Sequence, residues 1–185
     1  MKKNCKKSTN KLKYEADFLA NKSLKQIKHT ESTYFSVKLS DCIKYLELKT
    51  NKNIQIYEIE LGRIKSKYAL SSFAILQDEQ TIKIILNKSA IIPEFQNRFV
   101  IAAAIGIIEI LGDNLNNKVI TLPLFSSLDI DNVVSLTDFL ILFSLFLLVP
   151  KHKYMSLRKS KITYKDFQVP DGLFKLAKDI YRKEF

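Results

Sequence analysis

One uninterrupted apolar stretch limits what this chain can fold into. Residues 98–111 read Arg-Phe-Val-Ile-Ala-Ala-Ala-Ile-Gly-Ile-Ile-Glu-Ile-Leu, and only Arg98 and Glu109 are charged. The stretch has the length of about four helical turns. A helix that is apolar on every face has no side for solvent, so it belongs in the middle of a domain. We expect this central helix to run from about Glu94 to Leu111 and to end at Gly112.

A second stretch is almost as apolar and predicts a second buried helix. Residues 136–149 follow Ser135, whose hydroxyl suits a helix N-cap, and Asp138 stands at the third helical position. Pro150 ends the pattern. The apolar run is interrupted by Ser144 and is shorter than the roughly twenty residues that a membrane-spanning helix needs. We therefore expect a core helix and no membrane partner.

Shorter patterns predict a small sheet and the outer helices. Residues 54–61 alternate between apolar and polar side chains, which indicates a half-buried strand. Two further runs flank a polar turn at 77–80 and predict a β-hairpin. Further helices are expected over 12–30 with an interruption at 21–23, over 40–50 from Ser40, and over 171–185, whereas 115–134 is expected to be irregular. The predicted fold class is α+β, with two buried central helices packed on a sheet of about three strands.

Charge and length set the domain organisation. The 185 residues suffice for one domain with a real core. Residues 1–10 are polar and basic, so we expect a disordered basic arm followed by a single domain over 11–185. The net charge of +11 favours acidic partners, although only four of the 30 basic residues are Arg. Two cysteines without metal-ligand spacing, and no signal peptide, suggest a cytoplasmic protein.

Two apolar segments carry a resemblance to a known family. Residues 97–102 read Asn-Arg-Phe-Val-Ile-Ala, and residues 143–150 read Phe-Ser-Leu-Phe-Leu-Leu-Val-Pro. With the preceding helix, strand and hairpin, this order resembles the ImmA/IrrE family of zinc metallopeptidases. In that family a very similar Arg-Phe-Thr-Ile-Ala leads directly into His-Glu-Leu-Gly-His, and a later segment ends in Leu-Leu-Met-Pro. The resemblance is strongest over 40–150 and implies a zincin-like metallopeptidase scaffold.

The residues that would carry the chemistry of that family are absent. Laid on the family motif, Ala103 and Ile107 take the places of the two zinc histidines. Ala104 takes the place of the catalytic Glu, and Phe139 that of the third ligand. A catalytic zinc needs three protein donors and an open position, and none of these side chains has a lone pair to donate. The resemblance therefore implies a chain that is no enzyme and holds no metal or other cofactor.

Glu109 and the histidines do not rebuild such a site. Glu109 lies two positions beyond Ile107, about 200° round the helix, and is expected to be a helix-end carboxylate that is paired or reaches solvent. His29 and His152, the two histidines of the chain, are far apart in sequence. An enzyme of unrelated chemistry is a further alternative. No Ser-His-Asp set or Cys-His pair supports it, and four glycines do not provide a glycine-rich phosphate loop.

Two functions from different classes remain. The resemblance implies an inactive metallopeptidase-like regulator that binds another protein, such as a helix-turn-helix repressor on a mobile genetic element. On charge and position, its contact surface is expected to include the basic residues Lys151, Lys153, Arg158, Lys159 and Lys161. The alternative is a nucleic-acid-binding regulator that uses the basic arm and residues 151–165, where aromatic residues interleave with basic ones and could stack on bases. The aromatic candidates are Tyr154, Tyr164 and Phe167.

Overall fold

The computed structural model describes residues 3–32, 34–59, 69–87, 95–115, 117–123, 133, 135–157 and 161–183. Its helices are α1 (Lys3–Gln26), α2 (Leu39–Thr50), α3 (Gln96–Leu111), α4 (Leu136–Leu148), α5 (Lys151–Ser156), α6 (Tyr164–Phe167) and α7 (Asp171–Lys183). Its strands are β1 (Asn53–Ile59), β2 (Ala69–Gln77), β3 (Thr81–Asn87) and β4 (Lys118–Pro123). Short 3₁₀ turns cover His29–Glu31 and Gly112–Asn114. The predicted α+β class is confirmed.

Within the described residues, one mixed sheet has the strand order β1-β3-β2-β4. β1 runs parallel to β3, and β2 runs antiparallel to both β3 and β4. The hairpin between β2 and β3 is as predicted. Its turn is fixed by Asp78, whose Oδ1 accepts the backbone N–H groups of Gln80 at 3.0 Å and Thr81 at 2.7 Å.

The fourth strand, β4, is the main correction to the predicted sheet. It lies inside the 115–134 segment that was expected to be irregular, and it pairs along β2 from Lys118 opposite Ile75. Ile120 and Leu122 are buried, whereas Val119 and Thr121 are exposed. Such a short alternation, closed by Pro123 at the sheet edge, is a weak sequence signal. Pairing with β2 is what makes it a strand.

The first helix also differs from the prediction. α1 begins at Lys3, so Lys3–Asn10 is helical where a disordered arm was expected. It continues without a break through the interruption that was expected at 21–23. Asn21 Nδ2 donates to the carbonyl and the carboxylate of Asp17, both at 2.9 Å, and the Ser23 hydroxyl bonds to α3. The Ser23 hydroxyl is thus bonded outside α1, whereas the Asn21 amide shares the Asp17 carbonyl with its own backbone N–H, and the helix continues through both residues.

The two central helices, α3 and α4, are buried as predicted and pack against each other. Their contact depends on Gly106. A Cβ atom at this position would lie 2.7 Å from Cδ1 of Phe143 and 3.2 Å from Cδ2 of Leu140. The missing side chain thus allows the Phe143 ring to rest directly on the α3 backbone.

α4 begins after Ser135 and ends before Pro150, as the sequence predicted. The Asp138 N–H donates to Ser135 Oγ, and the Ser135 N–H donates back to Asp138 Oδ2, both at 3.1 Å. This is a capping box, and it satisfies backbone donors at the helix start. At the other end the Tyr181 hydroxyl of α7 donates to the Val149 carbonyl at 2.6 Å. Of the helices that the structure describes, none combines the length and apolar character of a membrane span.

Candidate functional site

The four positions that were aligned with the family motif lie on the two central helices, α3 and α4. Ala103, Ala104 and Ile107 are 0% exposed, and Phe139 is 3% exposed. Ala103 and Ile107 are one helical turn apart, so they share a face of α3. On α4, Phe139 and Phe143 are also one turn apart, and their rings stack with centroids 6.4 Å apart. Aliphatic and aromatic side chains therefore fill this part of the core.

These residues do not fit a metal ion. A catalytic zinc takes imidazole, thiolate or carboxylate donors and keeps one position open to solvent. The four side chains are hydrocarbons without lone pairs, and they are sealed from solvent. Across the described part of the chain, no group of three or more His, Cys, Asp and Glu residues is placed to hold a metal. No chemical step through a metal follows from this arrangement.

Glu109 is a buried carboxylate with partners on two other helices. Its side chain is 0% exposed and forms an ion pair with Lys49 of α2. The Ser23 hydroxyl of α1 donates to Glu109 Oε1 at 3.0 Å, and Lys49 Nζ also reaches the Glu109 carbonyl at 3.4 Å. Burial, the charge of Glu109 and a hydrogen bond with Glu109 raise the pKa of Tyr45. Glu109 is thus a paired carboxylate, and its contacts hold α1, α2 and α3 together.

The structure describes three of the five basic residues that were predicted to contact a partner. Lys151 and Lys161 are exposed. Lys153 is half-buried, and its ammonium donates to the Ser32 carbonyl, so it fastens α5 to the segment after α1. Arg158 and Lys159 lie outside the described residues. The structure leaves Lys151 and Lys161 as the exposed cations of the predicted set.

The aromatic residues expected to stack on bases are mostly internal. Tyr154 and Phe167 are buried, and both contact Phe174 of α7, with ring centroids 6.2 and 5.9 Å apart. Tyr164 is half-buried, and its ring meets the edge of Phe95. These rings build the core between α5, α6 and α7. The nucleic-acid hypothesis was therefore wrong to use Tyr154 and Phe167 as stacking residues.

A different surface combines aromatic and basic residues, and the sequence analysis missed it. Tyr14 and Phe18, one turn apart on α1, are 69% and 67% exposed. The same helical face carries exposed lysines. Together the α1 stripe comprises Lys11, Tyr14, Phe18, Lys22 and Lys25. The spacing that predicted a buried face with Ala16 and Ala20 implies an opposite face at these positions, so the signal was present.

The two histidines are also closer than their sequence separation suggested. The charges of Lys153 and His152 act on His29, after its burial, to lower the pKa of His29 to about 4. Burial, and then Lys153, lowers the pKa of His152 too. This basic cluster lies beside the segment that follows α1, and the α3 motif positions are not part of it.

Beyond this geometry, similarity to other proteins adds no constraint on function. No protein-family model matches the chain, and no curated protein matches it. Three described features of the molecule bear on its function: the apolar α3–α4 contact, the exposed α1 stripe near Lys151, and the basic cluster around His29.

Proposed function

We propose that this chain is a catalytically inactive, metallopeptidase-like protein that regulates by binding another protein stoichiometrically. The observation that carries the proposal is that Ala103, Ala104, Ile107 and Phe139 are all apolar and buried. These are the positions where the resembling family has its zinc ligands and its general base. Support for the scaffold comes from the order of elements, in which a hairpin precedes α3 and the second matching segment lies on α4.

Relative to the family motif, all four replacements exchange a polar side chain for an apolar one. A buried His or Glu without a metal or a hydrogen-bond partner costs several kcal/mol. Hydrocarbon side chains at those positions instead add to the core, and Phe139 and Phe143 occupy the space between the helices. A scaffold stabilised in this way keeps its outer surfaces for recognition, and at these four positions it has neither a metal ligand nor a general base.

The proposed partner is a protein with an acidic contact surface, such as a helix-turn-helix repressor. The net charge of +11 favours such a surface, and Lys151 and Lys161 are exposed members of the predicted contact region. In this proposal the protein acts in the cytoplasm, and no cofactor takes part. Binding alone would change the activity of the repressor.

The test mixes the purified protein with candidate repressors and follows complex formation and repressor integrity together. We expect a complex of fixed stoichiometry on size exclusion, with the repressor intact in the presence or absence of zinc. The double variant Lys151→Gln/Lys161→Gln should weaken the complex, whereas Lys44→Gln, an exposed charge on α2, should leave it unchanged. Repressor cleavage that EDTA abolishes would contradict the proposal.

The α1 stripe favours a second candidate function, binding of single-stranded nucleic acid. Tyr14 and Phe18 present exposed rings on a helix face that carries three exposed lysines and one exposed carboxylate, Glu15. Tyr14 also lines a small pocket with Lys13 and Lys151. Lysines that neutralise phosphates together with rings that stack on bases are the two components of nonspecific single-strand binding. The pocket brings Tyr14 of α1 and Lys151 of α5 to one surface.

Fluorescence anisotropy with a labelled single-stranded oligonucleotide tests the second candidate. Tyr14→Ala and Phe18→Ala should each weaken binding by about 5- to 100-fold, since stacking contributes roughly 1–3 kcal/mol per base. Leu48→Ala is the matched control, because Leu48 is 86% exposed on α2 and lies outside the stripe. Equal losses in all three variants, or affinity that is insensitive to salt, would exclude the stripe as a nucleic-acid interface.

A further inference from the structure

The two edges of the sheet differ in how they are protected. Within the described residues, β1 and β4 are the outermost strands. The β4 edge begins at Lys118, ends at Pro123 and pairs with β2 through a register shift between Ala69 and Ser71. Lysine, proline and irregular pairing are the features that keep an edge from accepting a further strand. β1 pairs with β3 in continuous register, contains no proline and has a single charged residue, Glu58.

Apolar side chains are exposed on both faces of β1. Ile56 shares the face of Ile54, which is turned to the helices, because residues two apart in a strand point the same way. Its neighbour on β3, Ile84, is 0% exposed, whereas Ile56 is 38% exposed. On the other face Tyr57 and Ile59 are 43% and 42% exposed. A layer stacked on the sheet would cover one face only, whereas a strand beside β1 would cover both.

The backbone of β1 is oriented for such a strand. The Asn53 N–H donates to the Gln80 carbonyl at 2.9 Å, so every second residue from Asn53 onward directs its backbone groups toward β3. The residues between them direct their groups toward the open edge. In agreement, the Ile54 N–H donates to Glu47 Oε1 of α2 at 2.9 Å. Ile56, in the middle of the strand, therefore directs its N–H and its carbonyl away from β3.

A second copy of β1 fits this edge. In an antiparallel pair with its two-fold axis at Ile56, the two Ile56 residues lie opposite each other and exchange two N–H to carbonyl hydrogen bonds. Tyr57 then lies opposite Gln55, and Glu58 lies opposite Ile54. No like charges are opposed in this register, and aromatic and aliphatic side chains gain cross-strand neighbours on both faces.

We propose that this chain forms a two-fold homodimer in which the β1 strands pair antiparallel and join the two four-stranded sheets into one. The net charge of +11 opposes association of two copies, so added salt should strengthen the dimer. One strand pair is a small contact beside the roughly 1,600 Å² of a standard interface, so the dimer should dissociate on dilution. The dimer goes beyond the proposed regulatory function and does not depend on it.

Sedimentation equilibrium over a range of protein and salt concentrations tests the dimer. We expect a monomer–dimer equilibrium in the wild type. Ile56→Pro should abolish the dimer, because proline removes the N–H that faces the partner and leaves the bonds between β1 and β3 intact. Ile56→Lys should weaken the dimer at least about tenfold, since the axis places the two ammonium groups opposite each other. Val119→Lys is the matched control, because Val119 is 79% exposed on the other edge strand.

Disulfide cross-linking tests the register. In a Cys5→Ser background, Ile56→Cys should give a covalent dimer on mild oxidation, because opposed Cα atoms in such a pair lie about 5.5 Å apart, within disulfide range. Val119→Cys should stay monomeric. Circular dichroism shows whether Ile56→Pro folds; if it does not, Ile56→Lys and the cross-link decide.

Three results would overturn the proposal. The first is a wild-type protein that stays monomeric up to millimolar concentration in high salt. The second is an equal effect of Ile56→Lys and Val119→Lys on association. The third is cross-linking of Val119→Cys without cross-linking of Ile56→Cys, which would assign the contact to the other edge of the sheet.

Discussion

His29 makes folding sensitive to pH. Its pKa is about 4 in the folded protein and 6.5 in an unfolded chain, so between these values the unfolded state binds more protons. Stability should therefore be complete above pH 6.5 and fall as the pH drops toward 4. The full difference corresponds to about 3 kcal/mol. Urea unfolding at several pH values measures it.

The variant His29→Gln isolates this contribution, because glutamine does not titrate. Between pH 7 and pH 4 its free energy of unfolding should fall by about 3 kcal/mol less than that of the wild type. His152→Gln is the comparison, since His152 is exposed and should change the pH slope less. An identical pH dependence in wild type and His29→Gln would show that carboxylates alone cause the acid loss.

Glu109 and Lys49 should respond unequally to substitution. Lys49→Met leaves a fully buried carboxylate without its cation and is expected to cost about 3 kcal/mol or more. Glu109→Gln leaves Lys49, whose side chain is 32% exposed, free to turn to water, so it should cost only about 1–2 kcal/mol. Chemical denaturation of the two variants tests this order. The reverse order would mean that the Glu109 carboxylate is stabilised mainly by Ser23 and Tyr45.

At the scale of elements, Gly106 sets the distance between α3 and α4. Gly106→Ala gains about 1 kcal/mol of helix propensity but pushes a methyl group to within 2.7 Å of the Phe143 ring. Overpacking of this kind typically costs about 1–3 kcal/mol, so we expect a net loss of stability. In a Phe143→Ala background the same substitution should cost nothing or stabilise. Thermal unfolding of the four proteins in this cycle measures the coupling.

The elements that the sequence predicted best are those whose signal is long. α3, α4 and α7 follow from patterns of fourteen or fifteen residues, and the hairpin follows from two apolar-rich runs on either side of a polar turn. β4 was missed because a few alternating residues in a long segment without other regular patterns do not predict a strand. Its hydrogen bonds to β2, which the sequence does not reveal, make it one. The helical start of α1 was missed because the basic, polar composition of residues 1–10 was interpreted as a sign of disorder. Lysine nevertheless has a high helix propensity.

The candidate sites were less predictable than the elements because they depend on residues that tertiary structure brings together. Lys153 was predicted as a partner contact, but its bond to Ser32 gives it a structural role. His29 and His152 are 123 positions apart in sequence, and only the fold places them in one basic cluster. The exposed rings of Tyr14 and Phe18 were predictable in principle, since their spacing is complementary to that of the buried face of α1.

For the whole molecule, the central question is whether the scaffold can still accept a metal. We expect that introducing metal-ligating side chains alone does not create a metal site in this core. Ala103→His forces an imidazole into the space of a methyl group, Ile107→His puts a second polar ring in the core, and Phe139→Glu adds a buried carboxylate. Overpacking and unpaired polar groups together should lower the free energy of unfolding of the triple variant by about 3 kcal/mol or more.

Zinc added to this triple variant distinguishes a filled core from a dormant site. If the helices cannot separate, zinc should not raise the melting temperature, and the metal should be lost on gel filtration. Ala104 is left unchanged in this variant, so that a buried Glu at position 104 does not contribute to the change in stability. Tight stoichiometric zinc with recovered stability would show instead that the backbone retains ligand geometry, because binding to the folded state alone stabilises it in proportion to affinity. That result would support the proposed metallopeptidase-like scaffold and would contradict the inference that the apolar core excludes the metal.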